Sequence, residues 1–402
     1  MGKSRDRRNA RRKAAAAPGR NAGRAAAPIG AEALVDAQLV GLPSFDELTP
    51  TPEQLAAYGP AAERVAQMGL APAEELALGC IVRLDRGYPA VASAKGTLRC
   101  EYGQGLSSLK TDVRAAVGDW VVCVIPAEHD CGLVQAVLPR TSDIARWRGS
   151  ARGERQTLAA NVDVVLVAQP LSGREVALDR IARSCVVARD CGAQSAVVLT
   201  KADRCPSSEW LKVQVEAVFE VLGQDVRVVC TASQDAPGYE EAARAAGAGW
   251  GTDDVRALVP AGKVGIVLGE SGAGKSTLLN ALVGSQVLET QDVRATDDAG
   301  RHTTVSRRMV KLPGAGVIVD EPGLRSLPLV GHERGLAKVF PEVAEAARGC
   351  RFRDCTHTTE PGCGVQEAFA AGEFPERRLS AYLALAAEMR ASADSLDPDV
   401  VI

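Results

Sequence analysis

Residues 263–284 read KVGIVLGESGAGKSTLLNALVG, and this stretch decides what kind of domain surrounds it. Positions 269–276 match G-x-x-x-x-G-K-[ST] at every fixed position. The apolar run before the match is typical of a strand, and the residues after it are typical of a helix. Glycines in such a loop let backbone N–H groups converge on phosphates, and the helix N-terminus adds positive potential. The stretch therefore predicts a nucleoside triphosphate site without choosing the base.

Two residues of this loop have the most specific expected roles. Lys275 should reach the β- and γ-phosphates, and the hydroxyl of Ser276 should bind Mg²⁺. The residues that the loop predicts to bind nucleotide are Gly269, Glu270, Ser271, Gly272, Ala273, Gly274, Lys275, Ser276 and Thr277.

Two segments upstream of the phosphate loop favour guanine as the base. The run VVLTKADRC, residues 197–205, contains a match to Asn-Lys-x-Asp that departs only at its first position. Asp203 can accept two hydrogen bonds from N1–H and N2–H₂ of guanine, which adenine does not offer, and the stem of Lys201 would lie along the base. The run CTAS, residues 230–233, resembles a Ser-Ala element whose backbone N–H meets guanine O6. The residues predicted to read the base are Thr200, Lys201, Ala202, Asp203, Thr231, Ala232 and Ser233.

The order of these segments along the chain is unusual. A guanine-reading element ordinarily follows the phosphate loop, whereas here it precedes the loop. Either the two early runs are ordinary surface loops, or the chain builds a GTPase in cyclically rearranged order. Permutation moves only the chain ends, so the strands can keep their usual places in a largely parallel α/β sheet. We predict the permuted domain.

Two downstream segments resemble the switches of a GTPase. In VIVDEPG, residues 317–323, Asp320 ends an apolar run and Gly323 completes Asp-x-x-Gly, which predicts a Mg²⁺-linked carboxylate and a γ-phosphate sensor. In GRHTT, residues 300–304, Thr303 or, preferably, Thr304 would complete the Mg²⁺ shell, and a plain polar connection is the alternative. The predicted Mg²⁺ ligands are Ser276, Thr304 and Asp320.

The residue after Asp-x-x-Gly predicts slow hydrolysis. Many GTPases place a Gln there to orient the attacking water, and this chain has Leu324. We therefore expect a partner to supply or order the missing group. His302 is the nearest candidate within the chain, and a structural or solvent-facing role for it stays open. The predicted catalytic residues are Lys275, Thr304, Asp320 and His302.

A second group of candidate functional residues lies in CRFRDCTHTTEPGC, residues 350–363. Three thiols and one imidazole in a C-x₄-C-x-H-x₅-C spacing suit closed tetrahedral Zn²⁺. Four ligands leave no open position, so we predict a structural zinc, with buried free thiols beside a surface His as the alternative. Arg351 and Arg353 of the same segment could contact phosphates. The predicted zinc ligands are Cys350, Cys355, His357 and Cys363.

Changes in composition and in the pattern of apolar residues divide the chain into four predicted parts. Residues 1–77 form a basic disordered leader with at most a short helical segment. Residues 78–145 contain short β-rich runs separated by Gly, Pro and Asp, which is the pattern of a small β-barrel. Residues 146–332 hold the permuted α/β domain, and residues 333–402 form a small helical domain around the Cys/His cluster.

Charge and cysteine content limit the compartment. Residues 1–24 hold nine Lys/Arg against one Asp, a net charge of +8. Because the whole chain has a net charge of -3, the remaining residues carry -11. This leader is a solvated tail, a polyanion-binding arm, or both. The chain shows no secretory signal and no long apolar run, so we expect a cytoplasmic protein without a membrane span. Its eight scattered cysteines are predicted to be reduced and mostly buried.

Together these features resemble the bacterial ribosome small-subunit-dependent GTPase A family, from about residue 78 to 390. The resemblance is carried by GESGAGKSTLLNAL, GRHTT, DEPGLR and CRFRDCTHTTEPGC. It implies an OB-fold barrel, GTP hydrolysis stimulated by the small (30S) ribosomal subunit, and a role in late maturation of that subunit. It also implies GTP, GDP and rRNA as partners, and we expect the protein to be a monomer. The barrel agrees with rRNA binding, since it carries Arg83, Arg86, Lys95, Arg99, Lys110 and Arg114.

The sequence departs from the family pattern at two positions. Thr200 replaces the commoner Asn of the guanine reader, and Glu321 occupies a position that is usually small and hydroxylated. Two other functions remain as alternatives. One is a P-loop ATPase or small-molecule kinase with a nucleic-acid-binding barrel, and the other is an RNA-binding module whose nucleotide is only structural.

Overall fold

The computed structural model describes residues 41–85, 88–104, 106, 114–126, 131–148, 154–284, 307–320 and 331–394. Among these residues, no helix is both long and apolar enough to cross a lipid bilayer. Several predictions fall on other residues and lie outside this description. They concern the basic leader, Arg86, Lys110, His302, Thr303, Thr304, Glu321, Gly323 and Leu324.

Five strands close into a small barrel. They are β1 (Leu76–Asp85), β2 (Tyr88–Ser93), β3 (Gly96–Tyr102), β4 (Trp120–Val124) and β5 (Gly132–Val137). Around the barrel the order is β1-β2-β3-β5-β4, and β4 pairs again with β1. Inward-facing residues such as Ile81, Val91 and Val121 are fully buried and form its core. The OB-like barrel predicted from the sequence is confirmed.

Helix α1, Pro52–Gln67, lies against this barrel and is longer than the short helix that the sequence predicted. Thr51 begins it with a capping box, since its hydroxyl accepts from Gln54 N and the Gln54 side chain accepts from Thr51 N. Pro52 occupies the first turn, where its missing N–H has no helical partner to lose. Ala61 and Val65 are its buried apolar residues.

The connection from the barrel to the α/β domain is fixed by buried polar groups. It includes the antiparallel hairpin of β6 (Asp143–Arg148) and β7 (Glu154–Ala160). Asn161 accepts hydrogen bonds from Gln54 Nε2 and Thr141 N, and its own amide donates to the carbonyl of Gly118. Because these partners belong to α1, the connection and the barrel, a single buried amide joins all three.

A second group of strands forms the sheet of the α/β domain. Its strands are β8 (Val164–Pro170), β9 (Gln194–Thr200), β10 (Arg227–Cys230), β11 (Gly249–Trp250), β12 (Val264–Leu268), β13 (Arg307–Lys311) and β14 (Val317–Asp320). They lie in the order β11-β10-β9-β8-β12-β14-β13, and all are parallel except β13. The sheet therefore brings β9, β10 and β12 close together with their carboxyl ends at one edge.

Helices cover the faces of this sheet, as alternating strand and helix patterns predict. They are α2 (Leu178–Asp190), α3 (Ser208–Leu222), α4 (Tyr239–Ala245), α5 (Gly251–Ala257) and α6 (Lys275–Val283). Leu279 and Leu282 of α6 pack with sheet residues such as Leu166 in one buried cluster. Apolar burial of this kind holds α6, and with it the phosphate loop, against the sheet.

The barrel and the α/β sheet are hydrogen-bonded to each other. Strand β13 lies antiparallel to β14 on one side and to β1 of the barrel on the other, with Arg83 opposite Arg308 and Leu84 opposite Arg307. The result is one continuous sheet of twelve described strands. The sequence did not predict the pairing of β13 with β1.

The C-terminal part of the described chain is helical, as predicted. Its helices are α7 (Glu333–Val339), α8 (Pro341–Ala347), α9 (Gly364–Ala370) and α10 (Glu376–Asp394). Arg378 of α10 is buried, pairs with Glu342, and donates to the carbonyl oxygens of Val221 and Val339. Since Val221 belongs to α3, this guanidinium attaches the helical part to the α/β domain.

The predicted domain limits fall close to these elements. β1 begins at Leu76, near the predicted limit 77/78, and α7 begins at Glu333, at the limit 332/333. Strand β6 spans the limit 145/146. The division into 1–77, 78–145, 146–332 and 333–402 stays a prediction.

Candidate functional site

The loop between β12 and α6 has the backbone that phosphate binding requires. Gly274 lies in the left-handed region with φ of 81° and begins α6, where a side chain would be strained. A Cβ at Gly269 would lie 2.5 Å from the carbonyl oxygen of Ala168 on β8. The two glycines therefore allow the loop to turn tightly beside the sheet.

Lys275 curls over this loop. Its ammonium donates to the carbonyl oxygens of Gly269 and Glu270, the latter at 2.8 Å. Ser276 and Thr277 follow in the first turn of α6, and Ser271 is exposed. The loop thus gathers a cation, hydroxyls and a helix N-terminus, the groups that suit a bound phosphate.

The 200–203 segment is hydrogen-bonded directly to the phosphate loop. Thr200, the last residue of β9, is buried and donates its hydroxyl to the carbonyl of Ala273 at 2.7 Å. Lys201 takes a left-handed backbone, with φ of 61°, and its ammonium donates to the carbonyl of Gly272 at 2.7 Å. Two segments about seventy positions apart are therefore parts of one site.

The 230–233 segment completes the same edge. The carboxylate of Asp203 accepts from the backbone N–H of Ser233 at 3.1 Å, and Ala202 N donates to the carbonyl of Thr231 at 2.9 Å. Asp203 is half-buried, and Ala232 lies between the two bonded positions of its loop. The structure thus brings together every base-reading residue that the sequence predicted.

Asp320 ends β14, the neighbour of β12 in the sheet. Ser276 lies in the first turn of the helix that follows β12, so these two predicted Mg²⁺ ligands follow adjacent parallel strands. Thr304, His302 and Gly323 lie outside the described residues. The predicted catalytic set is therefore described only at Lys275 and Asp320.

Sequence reasoning missed two ion pairs beside the phosphate loop. Arg180 of α2 binds Glu270 with N···O of 2.6 Å, and Arg183, one turn further along α2, binds Glu388 of α10. A cavity of about 430 Å³ lies between them, bounded by the loop, α2 and α10. No motif marks these residues, because each pair joins segments far apart in the sequence.

The predicted zinc ligands cluster closely. Their four ligand atoms all lie within 4.8 Å of one another. The Sγ atoms of Cys350 and Cys363 are 3.9 Å apart, and His357 Nδ1 is 3.4 and 3.6 Å from them. Ligand bonds of about 2.0–2.3 Å place the corners of a tetrahedron roughly 3.5–3.8 Å apart. The cluster therefore has the size of a four-coordinate zinc site.

Burial and hydrogen bonds shift the pKa values of the residues in this cluster. Burial lowers the pKa of His357, which favours the neutral imidazole that binds metals. Burial acts to raise the pKa of Cys350, but N–H groups of Val365 and Gly364 and the neighbouring thiols lower it overall. Burial and the neighbouring thiols of Cys363 and Cys350 raise the pKa of Cys355 to about 11. Gln366 holds the loop by donating to the carbonyl of His357 at 2.6 Å. These residues fit a structural Zn²⁺ held by thiolates and one imidazole.

The remaining cysteines agree with a reduced protein. All eleven are free thiols, and of the eight outside the cluster only Cys131 is exposed and Cys191 half-buried. Burial raises the pKa of Cys123, Cys185 and Cys230 to about 12. Protonated, buried thiols of this kind are unreactive packing groups.

Three of the basic barrel residues lie exposed on its surface: Lys95, Arg99 and Arg114. The guanidinium of Arg99 lies 5.1 Å from the ring centroid of exposed Tyr88, whereas half-buried Arg83 pairs with Asp85. Arg86 and Lys110 lie outside the described residues.

The fold and the joined loops define a P-loop GTPase domain in circularly permuted order, with an OB-like barrel and a helical Cys/His part. Two solved structures are similar to it. YjeQ from Thermotoga maritima has a TM-score of 0.56 at 24% identity, covering 78% of this chain and 99% of that chain. YloQ, described as a circularly permuted GTPase, has a TM-score of 0.55 at 21% identity, covering 79% and 96%.

Sequence comparisons identify the family. The RsgA GTPase family model matches residues 137–330. A small ribosomal subunit biogenesis GTPase RsgA from Streptomyces avermitilis is 41% identical over 335 residues, covering 83% of this chain and 85% of the relative. The protein of the same name from Streptomyces coelicolor is 42% identical over 317 residues, covering 79% and 81%. The chain belongs to the RsgA GTPase family, which supports the GTPase interpretation and not the ATPase or kinase alternative.

Proposed function

We propose that this protein hydrolyses GTP, that the small ribosomal subunit stimulates the hydrolysis, and that the activity serves late maturation of that subunit. The observation that carries the nucleotide part is the pair of hydrogen bonds from Thr200 and Lys201 to the phosphate loop. These bonds hold the 200–203 segment beside the 269–276 loop, as binding of one GTP by both would require. The names of the relatives support the ribosomal part.

In this proposal the two ends of GTP meet different loops. The carboxylate of Asp203 accepts N1–H and N2–H₂ of guanine, and the 231–233 backbone meets O6. At the other end, Lys275 leaves the carbonyl oxygens of its own loop and binds the β- and γ-phosphates. Ser276, Thr304 and Asp320 would hold Mg²⁺, which would neutralise charge on the phosphates.

Hydrolysis by the isolated chain is expected to be slow. Leu324 has no polar group with which to orient a water molecule, in contrast to the Gln of many GTPases. The subunit supplies or orders the missing group, and His302 is the candidate within the chain. Loss of the γ-phosphate then releases the switch segments and lowers affinity for the subunit.

The other parts of the molecule serve binding and stability. Exposed cations of the barrel and the basic leader neutralise rRNA phosphates, and Zn²⁺ at Cys350, Cys355, His357 and Cys363 fixes the fold of the C-terminal part. The protein acts as a monomer in the cytoplasm.

The test is GTP turnover with and without purified small subunits. We expect slow turnover alone and stimulation of at least ~10-fold by the subunits. Lys275→Ala should abolish both rates, because it removes the ammonium that binds the phosphates. Fast turnover by the isolated protein would contradict the need for a partner, and no stimulation by subunits would contradict the ribosomal role.

Competition experiments separate the remaining alternatives. ATP should not displace a labelled GTP analogue, because adenine lacks the two donors that Asp203 accepts. Displacement by ATP at equal concentration would support an ATPase. Full affinity of Lys275→Ala for subunits, together with no turnover by the unsubstituted protein on any ribosomal particle, would support an RNA-binding module whose nucleotide is structural.

A further inference from the structure

Phe352 is an exposed aromatic residue of the Cys/His cluster, with 42% of its surface accessible. A single exposed apolar side chain is ordinary in a folded protein and carries no inference alone. Its surroundings are less ordinary. The guanidinium of Arg351 lies 5.5 Å from the ring centroid of Phe352, and Arg351 and Arg353 are both exposed. An aromatic face and two cations are thus presented together.

The backbone beneath this group is held at both ends. Cys350 and Cys355, two of the four clustered ligands, flank residues 351–354. Arg351 N also donates to the carbonyl of Gly362 at 3.0 Å across the loop. A Cβ at Gly362, whose φ is 73°, would lie 3.3 Å from the Cβ of Arg351. A ring on so constrained a loop loses little backbone freedom when it binds a partner.

The charges near Phe352 leave the two arginines available to a partner. The ion pairs described nearby join Arg348 to Glu345 and Arg378 to Glu342, and neither uses Arg351 or Arg353. Asp354 adds one exposed carboxylate to the same loop. A planar ring beside two guanidinium groups matches a nucleotide whose base is unstacked and whose phosphates lie on either side.

We propose that Phe352 and Arg351 form a platform on which an unpaired base of ribosomal RNA stacks, with Arg353 binding a flanking phosphate. The proposal rests on the proposed function, because it names the RNA feature that the protein recognises on the small subunit. Stacking requires the flat face of the ring, whereas an apolar pocket in a ribosomal protein requires only bulk. Substitution of Phe352 should therefore change the affinity for an RNA base and the affinity for a protein pocket in different ways.

The experiment measures affinity for purified small subunits in the presence of a non-hydrolysable GTP analogue. Phe352→Leu keeps an apolar side chain without a π face and should weaken binding about 10-fold, or ~1.4 kcal/mol. Phe352→Tyr keeps the face and should bind as the unsubstituted protein does. Val213→Ala is the matched control, since Val213 is also exposed and apolar but lies on α3. Zinc content and turnover without subunits should be the same in all variants.

Photocrosslinking identifies the class of partner. A photoreactive phenylalanine analogue in place of Phe352 should crosslink to rRNA. Equal affinity of Phe352→Leu and Phe352→Tyr, or crosslinks to ribosomal protein alone, would overturn the stacking proposal while leaving subunit-stimulated GTP hydrolysis intact. An unsubstituted protein that fails to bind subunits at all would overturn both.

Discussion

The nucleotide site and the Cys/His cluster are assembled in opposite ways. Thr200 and Ala273 lie 73 positions apart and meet because parallel strands carry their loops to one edge of a sheet. The ligands of the cluster lie within fourteen consecutive residues, in a segment without strands between α8 and α9. The first site depends on the packing of a whole domain, and the second depends on its own side chains. The two should therefore fail independently.

The largest effect is expected when the cluster loses its metal. Cys363→Ser removes a buried ligand, and structural zinc contributes on the order of 10 kcal/mol or more to small metal-dependent folds. Zinc should be lost and the segment around residues 350–363 should become sensitive to protease. GTP affinity should stay unchanged, because no ligand of the cluster touches the phosphate loop. Metal analysis, limited proteolysis and nucleotide titration test all three.

Cys131→Ser is the control for this experiment, since Cys131 is exposed and outside the cluster. It should keep its zinc and its resistance to protease. Metal-free protein with an intact C-terminal fold would contradict a structural zinc, and a large loss of GTP affinity would show that the two sites are not independent.

The next effect concerns the base. Asp203→Asn replaces an acceptor of two hydrogen bonds with an amide, and charge-assisted bonds contribute about 1.5–3 kcal/mol each. The amide keeps one acceptor oxygen, so the loss is about that of one such bond, and affinity for GTP should fall about 10- to 100-fold. Affinity for xanthosine triphosphate should rise, because the new N–H meets the O2 of xanthine. Titration with both nucleotides measures the exchange, and unchanged preference for GTP would mean that Asp203 does not read the base.

A smaller effect tests the bond that joins the two loops. Thr200→Val keeps the shape of the side chain but leaves the carbonyl of Ala273 without its buried donor, at a cost of about 1–3 kcal/mol. Because this cost falls on the position of the loop and not on a contact with GTP, GTP affinity should fall less than in Asp203→Asn, and the zinc content should stay at the level of the unsubstituted protein. Thr97→Val, on the barrel strand β3, is the control and should bind GTP normally. Equal affinity in both variants would show that the loops hold their places without this bond.

The smallest effect is expected at the pair of Arg180 and Glu270. Both side chains are at least half exposed, so the pair should contribute only about 0.2–1 kcal/mol. A double-mutant cycle with Arg180→Gln and Glu270→Gln, read in GTP affinity, measures this coupling. The exposed pair of Lys212 and Glu216 on α3 provides a reference cycle read in unfolding free energy. A coupling well above this range would make Arg180 part of the phosphate site.

The sequence predicts best where chemistry is local. The phosphate loop and the Cys/His spacing are each written in one short stretch, so their residue types and intervals indicate the chemistry directly. The segments predicted to read guanine required one more step, because the order of the segments had to be recognised as permuted. The expected barrel followed from the spacing of Gly, Pro and Asp between apolar runs.

The sequence predicts worst where backbone or unpatterned side chains meet across long distances. The pairing of β13 with β1 uses main-chain groups that every residue possesses, so no residue type marks it. Helix α1 extends through Pro60, which locally favours a break, because Ala61 and Val65 become buried. Asn161 joins three elements, yet an isolated Asn in a sequence looks like a turn residue.

Among the described residues, the barrel is attached to the α/β domain by at least two sets of hydrogen bonds, the short ladder between β1 and β13 and the bonds of Asn161. A single attachment would allow the barrel to rotate relative to the α/β domain, whereas two attachments fix its orientation. The exposed face around Tyr88 and Arg99 is therefore held at a set spacing from the nucleotide loops. A partner can therefore contact this barrel face and the predicted nucleotide loops at the same time only if its own surface has the matching shape.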